Sequence, residues 1–140
     1  MAPPLVPEFI CADLTRSVGF YCDVLGFRVL YDRPAERFAY LGLDGAEIML
    51  EQPLDRRRLY PQTELAYPYG RGMNLEIRVA DVTVIVGAVV AAGLALYLPV
   101  EDRWYDRAED RIAVRQFAVQ DPDGYLLRLS QVLDVQPLTR

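Results

Sequence analysis

The stretch FAYLGLDGAEIMLEQ, Phe38–Gln52, returns 79 residues later as FAVQDPDGYLLRLSQ, Phe117–Gln131. Phe, Ala, Asp, Gly, Leu and Gln coincide at six of fifteen positions without a gap, and Ile48 lines up with Leu127. Asp44-Gly45 and Asp123-Gly124 are hairpin-turn pairs, because these residues accept the positive φ that a tight turn imposes, and apolar alternation flanks both. Each half of the chain is therefore expected to end in a β-hairpin.

The agreement extends upstream. Asp13 opens DLTRSVGFYCDVLGF, with Leu14, Val18, Tyr21 and Leu25 at helical spacing and Gly26 as the stop. Asp81 opens DVTVIVGAVVAAGL, with Val82, Ile85, Val86, Val89 and Val90 at similar spacing and Gly93 as the stop. Both aspartates are the expected N-caps, accepting orphan amides of the first helical turn. Each half thus reads strand, helix, strands. The first runs as a strand over 5–11, a helix over Leu14–Leu25, a strand over 27–32, and a hairpin from 37–43 to 46–51. The second runs as a strand over 72–79, a helix over 82–92, a strand over Leu94–Leu98, and a hairpin from 113–119 to 125–132. The chain is expected as one domain over 1–140, with module 1 at about 5–52, a linker at 53–71 and module 2 at about 72–133. A short helix is expected at Leu54–Leu59.

Composition narrows the function classes. The chain has 140 residues, a hydrophobic fraction of 52% and a net charge of −5. That is ample apolar content for a packed core, and the wrong charge for binding a nucleic-acid backbone. Histidine is absent, which removes the commonest general base and the commonest transition-metal ligand. Val82–Val100 is 19 residues without a charge. Gly87, Gly93 and Pro99 interrupt it, so it reads as helix plus strand and no membrane span is expected. Cys11 and Cys22 are not spaced as metal ligands or as a disulfide framework, and the N-terminal residues lack the pattern of an export signal. A cytoplasmic location is expected.

The motifs DLTRSVGFYCDVLGF and FAVQDPDGYLLRL, with the doubled βαβββ pattern, resemble the glyoxalase, bleomycin-resistance and extradiol-dioxygenase proteins, the vicinal oxygen chelate superfamily. The resemblance covers about residues 5–133. It implies an α+β fold of two tandem βαβββ modules with curved mixed sheets and a ligand in the concave space. Metal enzymes of that family carry four strand-borne ligands, and the matching positions here are Val6, Met49, Asn74 and Arg128. A guanidinium repels a cation and valine offers no lone pair, so no metal and no cofactor is expected. A register slip would bring in Glu8, Glu47, Glu51 or Glu76, and carboxylates alone suit Mg or Mn.

Strand alternation sorts the remaining candidates. Phe9, Cys11, Leu75, Ile77, Val79, Leu127 and Leu129 read as core. Glu8, Asn74, Glu76 and Arg128 read as cleft residues, with Glu76 and Arg128 placed either to meet a ligand or to pair with each other. Phe38, Tyr40 and Met49 on the first hairpin are further ligand candidates, although Phe38 also matches the core position Phe117. Trp104 stands in EDRWYDRAEDR, which reads as a solvated loop, and is a candidate for a ligand or dimer contact. No Ser-His-Asp or Cys-His set and no phosphate-binding glycine loop is present. The resemblance implies a small-molecule binding protein of the bleomycin-resistance kind, an antibiotic-resistance homodimer holding its ligand between subunits. The other reading is a metal-independent enzyme acting on an oxygenated metabolite, with Glu76 or Glu8 as base and Arg128 as electrophile.

Overall fold

The computed structural model describes residues 2–139. It contains two four-stranded mixed sheets with the same plan. Module 1 comprises β1 (Glu8–Ile10), helix α1 (Leu14–Gly19), β2 (Arg28–Arg33), β3 (Phe38–Leu43) and β4 (Ala46–Glu51), with strand order β1-β4-β3-β2. Module 2 comprises β5 (Asn74–Arg78), α2 (Val82–Ala91), β6 (Leu98–Asp106), β7 (Asp110–Gln120) and β8 (Leu126–Pro137), with order β5-β8-β7-β6. The first strand of each module pairs in parallel with the last, and the remaining pairs are antiparallel.

The repeat has a hydrogen-bonded basis at the helix starts. Asp13 accepts the Arg16 amide at 3.1 Å and Asp81 accepts the Thr83 amide at 2.9 Å. The matching glutamines do the same work from the end of each hairpin. Gln52 accepts the Leu14 amide and Gln131 accepts the Val82 amide, both at 3.1 Å. In each module the last strand is therefore tied to the helix start, which satisfies donors that no helical carbonyl reaches.

The helices lie against one face of each sheet. Phe9, Cys11, Ala39, Leu41, Ile48 and Leu50 point to this side in module 1. Ile77, Val79, Phe117, Val119, Leu127 and Leu129 do so in module 2, and one continuous core joins the two sets. The opposite face of each sheet carries no helix and is called the open face below. No helix among the described residues is long and apolar enough to cross a membrane.

Four local expectations are corrected. The first helix is α-helical only to Gly19, and Phe20–Val24 form a π-helical turn closed by Leu25 N donating to Phe20 O at 3.2 Å. The wider turn lets Phe20 and Tyr21 both enter the core. Leu94–Leu98 is not a strand; Leu96 packs on the core in an irregular segment and β6 begins only at Leu98. The charged stretch read as a loop is β6 and its turn into β7. Asp102 pairs with Arg115 across the strands at 2.8 and 2.9 Å, and Arg107 pairs with Asp110 at 2.6 and 2.7 Å. Cross-strand ion pairs replace the apolar alternation by which a strand is normally read. No helix forms at Leu54–Leu59. The Asp55 carboxylate takes the Arg57 amide at 3.0 Å, a local bond that competes with helix, and a 3-10 turn follows instead at Gln62–Glu64.

Candidate functional site

On the open face of module 1 the strand register builds two rows. Glu8 lies beside Met49, Met49 beside Tyr40, and Tyr40 beside Tyr31. Ile10 lies beside Glu51, Glu51 beside Phe38, and Phe38 beside Arg33. Tyr31 stacks on Tyr40 with ring centroids 4.7 Å apart, and the Arg33 guanidinium lies 3.8 Å over the Phe38 ring. Phe38 and Tyr40 are buried apart from the main core cluster, and the Tyr40 hydroxyl meets no partner at full hydrogen-bond geometry, with the Glu47 carboxylate close by. Burial and the neighbouring Glu47 charge raise its pKa. Glu51 is pushed up to about 7 by its hydrogen bond with Glu8, by burial and by the Glu8 charge, with Arg58 opposing. Glu51 therefore holds a proton more tightly than an ordinary carboxyl.

The open face of module 2 is a hydrogen-bonded polar sheet. Arg128 Nη2 donates to Glu76 Oε2 at 3.4 Å and Arg128 Nη1 donates to Gln116 Oε1 at 3.2 Å. Ser130 Oγ donates to Glu76 Oε1 at 2.8 Å and accepts from Arg78 Nε at 3.2 Å. Gln116 Nε2 donates to Glu101 at 3.0 Å and to the Tyr105 hydroxyl at 2.7 Å. Burial works to raise the Glu76 pKa, but the bonds from Ser130 and Arg78 and the Arg128 charge outweigh it and hold the carboxyl below its ordinary value.

The eight sequence candidates thus divide. Glu8, Phe38, Tyr40 and Met49 share the open face of module 1. Asn74, Glu76 and Arg128 share that of module 2, with Asn74 exposed at the start of β5. Trp104 joins neither: alternation along β6 turns it away from Glu101 and Tyr105, and the Arg111 guanidinium lies 4.7 Å over its ring. Tyr31, Glu51, Arg78, Gln116 and Tyr105 complete the two faces. Gln116 was the least visible of these, a polar residue beside Arg115 with nothing in its spacing to mark it, yet it is only 2% exposed.

The register also sets the neighbours of Met49 and Arg128, the hairpin positions that match the family's ligands. Glu8 pairs with Met49 and Glu76 with Arg128, whereas Val6 precedes β1 and Asn74 pairs with Leu126. The equivalent positions in the two modules are therefore Glu8 with Glu76, and Met49 with Arg128. Two carboxylates, a thioether and a guanidinium do not fit a divalent cation. Arg128 already neutralises Glu76, and Glu8 is bonded to Glu51. Among the described residues no three or more acidic, Cys or His groups gather to hold a metal ion.

Within one chain each face has its own cavity. One of about 370 Å³ is lined by module 2 residues, Glu76, Tyr105 and Arg128 among them. Another of about 370 Å³ lies between Glu51 and the linker residues Asp55, Arg57 and Arg58. A larger one of about 530 Å³ sits at the module joint, lined by Arg16, Phe20, Tyr67, Leu94 and Asp121 among others, away from both faces.

Two βαβββ modules that share a core and each present a helix-free, polar and aromatic face define an α+β protein of paired half-clefts. The model of the Glyoxalase/Bleomycin resistance protein/Dioxygenase superfamily matches residues 6–129, and the chain belongs to that superfamily. It is 28% identical to a bleomycin resistance protein of Geobacillus stearothermophilus over 133 residues, 90% of this chain and 94% of the relative. It is 39% identical to a glyoxalase/bleomycin resistance protein/dioxygenase superfamily member from Vibrio splendidus 12B01, covering 91% of this chain and 97% of that one with a TM-score of 0.42. The fold is matched by TioX from Micromonospora sp. ML1, with a TM-score of 0.67 at 23% identity over 94% of this chain and 98% of that one.

Proposed function

We propose that the chain works as one domain, a metal-free, cytoplasmic binding protein that sequesters a drug-like or aromatic small molecule in a cleft between two copies. Residues 53–71 serve as the linker between its modules. The observation that carries this reading is Tyr40. It is 5% exposed, lies outside the main core cluster, has a hydroxyl that meets no partner at full hydrogen-bond geometry and is stacked by Tyr31 on a face that holds no helix. A buried, unmet hydroxyl beside flat rings suits a ligand that brings both a polar atom and an aromatic surface. The strands bordering the open faces support a homodimer. Val29, Leu30 and Tyr31 on β2, Val100 on β6, and Val132, Leu133 and Val135 on β8 are exposed. Apolar strand surface of that extent calls for a cover, and a second copy offers the complementary half-cleft.

The relatives' printed name, bleomycin resistance protein, supplies the first ligand to try. Calorimetric titration with bleomycin is expected to saturate at one equivalent per chain with the drug recovered intact, and Tyr40→Phe is expected to alter the binding. A monomer by light scattering at micromolar concentration would break the shared-cleft reading.

A second reading rests on Glu51. A carboxyl held near 7 by Glu8 is suited to general-base work at neutral pH, which favours a metal-independent lyase, isomerase or dioxygenase-like enzyme acting on a small oxygenated metabolite. Turnover of such a metabolite that is lost in Glu51→Gln, with no heat from bleomycin, would replace the binding reading by this one.

A further inference from the structure

We propose that the open face of module 2 is a receptor for a carboxylate carried on an apolar body, with Arg128 and the Tyr105 hydroxyl as its recognition groups. The inference rests on the reading that this face takes a small molecule, and it adds the charge of the group recognised there.

The argument is a hydrogen-bond account centred on Gln116. Its amide lies between Arg128, which only donates, and Glu101, which only accepts. These two partners fix the orientation: the amide oxygen faces Arg128 and the amide nitrogen faces Glu101. The second amide N–H must then be donated to the Tyr105 oxygen, 2.7 Å away. Tyr105 is an acceptor in that bond, so its own O–H is left to donate elsewhere. No acceptor for it lies within reach among the described residues.

Arg128 is in a similar position. A guanidinium has five N–H donors, and two bonds are made here, one to Gln116 at 3.2 Å and a long one to Glu76 at 3.4 Å. Glu76 has little left to give. Its carboxylate already takes Ser130, Arg78 and Arg128. The other guanidiniums on the cavity wall are Arg78 and Arg107, and Arg107 is held by Asp110. Glu76 is the lone carboxylate among the lining residues, while Ile112 and Val114 supply apolar wall.

The cavity therefore presents a surplus of donors and positive charge beside an aliphatic surface. Buried Gln116 holds Arg128 and Tyr105 in place, so little side-chain freedom remains to be lost on binding. A planar carboxylate matches the guanidinium fork, and a second donor from Tyr105 fixes its orientation. An ammonium group would meet the like charge of Arg78, Arg107 and Arg128.

Three probes of one shape test this on the full-length protein: 1-naphthoate, 1-naphthalenemethanol and 1-naphthylmethylamine, titrated by calorimetry. The expected order is naphthoate first, by about tenfold or more over the alcohol, with the amine weakest. Arg128→Gln is expected to erase the preference for naphthoate over the alcohol. Tyr105→Phe keeps the ring and is expected to weaken naphthoate by about fivefold while leaving the alcohol unchanged. Equal affinities for the three probes, or a preference for the amine, overturn the proposal, and these wild-type comparisons need no variant to fold. If naphthoate binds through Arg128 while bleomycin gives no heat, the carboxylate site stands and the drug-binding reading falls. If bleomycin binds and naphthoate does not, the reverse holds.

Discussion

The two hairpin turns are equivalent in the repeat, yet one is free and the other is the joint of the molecule. Asp44 and Gly45 take φ values of 49° and 90°, a tight turn at the protein surface. Asp121-Pro122-Asp123-Gly124 is threaded into module 1. Asp123 accepts the Ala12 amide at 3.2 Å and Ser17 Oγ at 3.4 Å, and Asp121 accepts the Tyr21 hydroxyl at 2.7 Å. Tyr125 donates to Ile10 O at 3.0 Å and stacks on Phe9 at 4.5 Å. The linker returns to the same point, with Tyr69 N donating to Asp123 O at 2.9 Å. The two modules are similar in plan, and acidic side chains in the second turn lock them together, whereas among the described residues the first turn makes no such cross-module side-chain bond.

The sharpest way to break this contrast is one added methyl group. Gly45→Ala meets nothing within 4 Å and suffers only from its φ of +90°, a cost of about 1–2 kcal/mol. Gly124→Ala has the same φ problem at +91°, and its Cβ would also fall 2.5 Å from the Pro68 Cα and against the Pro68 Cβ. Linker and turn would have to separate, so a loss of about 4 kcal/mol or more is expected in chemical denaturation. Equal losses for the two variants would show that the joint does not carry the load assigned to it.

The joint should also make stability depend on pH in an unusual direction. Burial pushes Asp121 up to about 6 from 3.8, against the bonds from Tyr21 and from the Tyr125 and Asp123 amides. A carboxyl with a raised pKa keeps its proton in the folded state when the unfolded chain has released it. Its contribution is complete at low pH and is lost as pH rises from about 4 to about 6, by at most about 3 kcal/mol. Glu51 acts in the same direction up to about 7. Carboxyls with lowered pKa, such as Asp102 beside Arg115, contribute the opposite slope at more acidic pH. Stability by denaturant titration is therefore expected to fall between pH 4 and 7. Asp121→Asn should flatten the lower part of that fall, and Glu51→Gln the upper part. An unchanged slope in Asp121→Asn would remove Asp121 from the account.

What the sequence reveals of this architecture follows the range of each interaction. The hairpins and both helix N-caps are set within a few residues of chain and are visible as spacing, and the Gln52–Gln131 match is visible as an identity within the repeat. Alternation along single strands likewise puts Glu76 and Arg128 on one face. The parallel register of β1 and β5 is different, because its partners are strands more than forty residues away. Counting back from Asp13 and Asp81 lands on Val6 and Asn74, and does not report that the ladder sets Glu8 beside Met49 and Glu76 beside Arg128. β6 is hidden for another reason. It lies at the sheet edge, and its ion pairs with β7 give it the composition of a loop. With β6 unseen, the side to which Trp104 turns could not be read, nor could the place of Tyr105 beside Gln116. The buried hydroxyl of Tyr40 depends on Tyr31 stacking over it, a contact that alternation within β3 does not report.

The smallest effect is also the most discriminating, since it asks where the modules remain alike. Gln52 and Gln131 each hold one first-turn amide at 3.1 Å, and both bonds are partly buried. Replacing either by Ala leaves a helix N–H without its partner, at a cost of about 1 kcal/mol. Leu14 and Val82 differ in surroundings, however. α1 runs into the π turn that carries Tyr21 to Asp121, so loosening its start also loosens the joint. α2 has no such anchor, because Gly93 ends it and an irregular segment follows. If the caps act only locally, Gln52→Ala and Gln131→Ala will cost the same and will add independently to Asp121→Asn. If the joint transmits the loss, Gln52→Ala will couple to Asp121→Asn in a double-mutant cycle by about 0.5 kcal/mol or more, while Gln131→Ala will not.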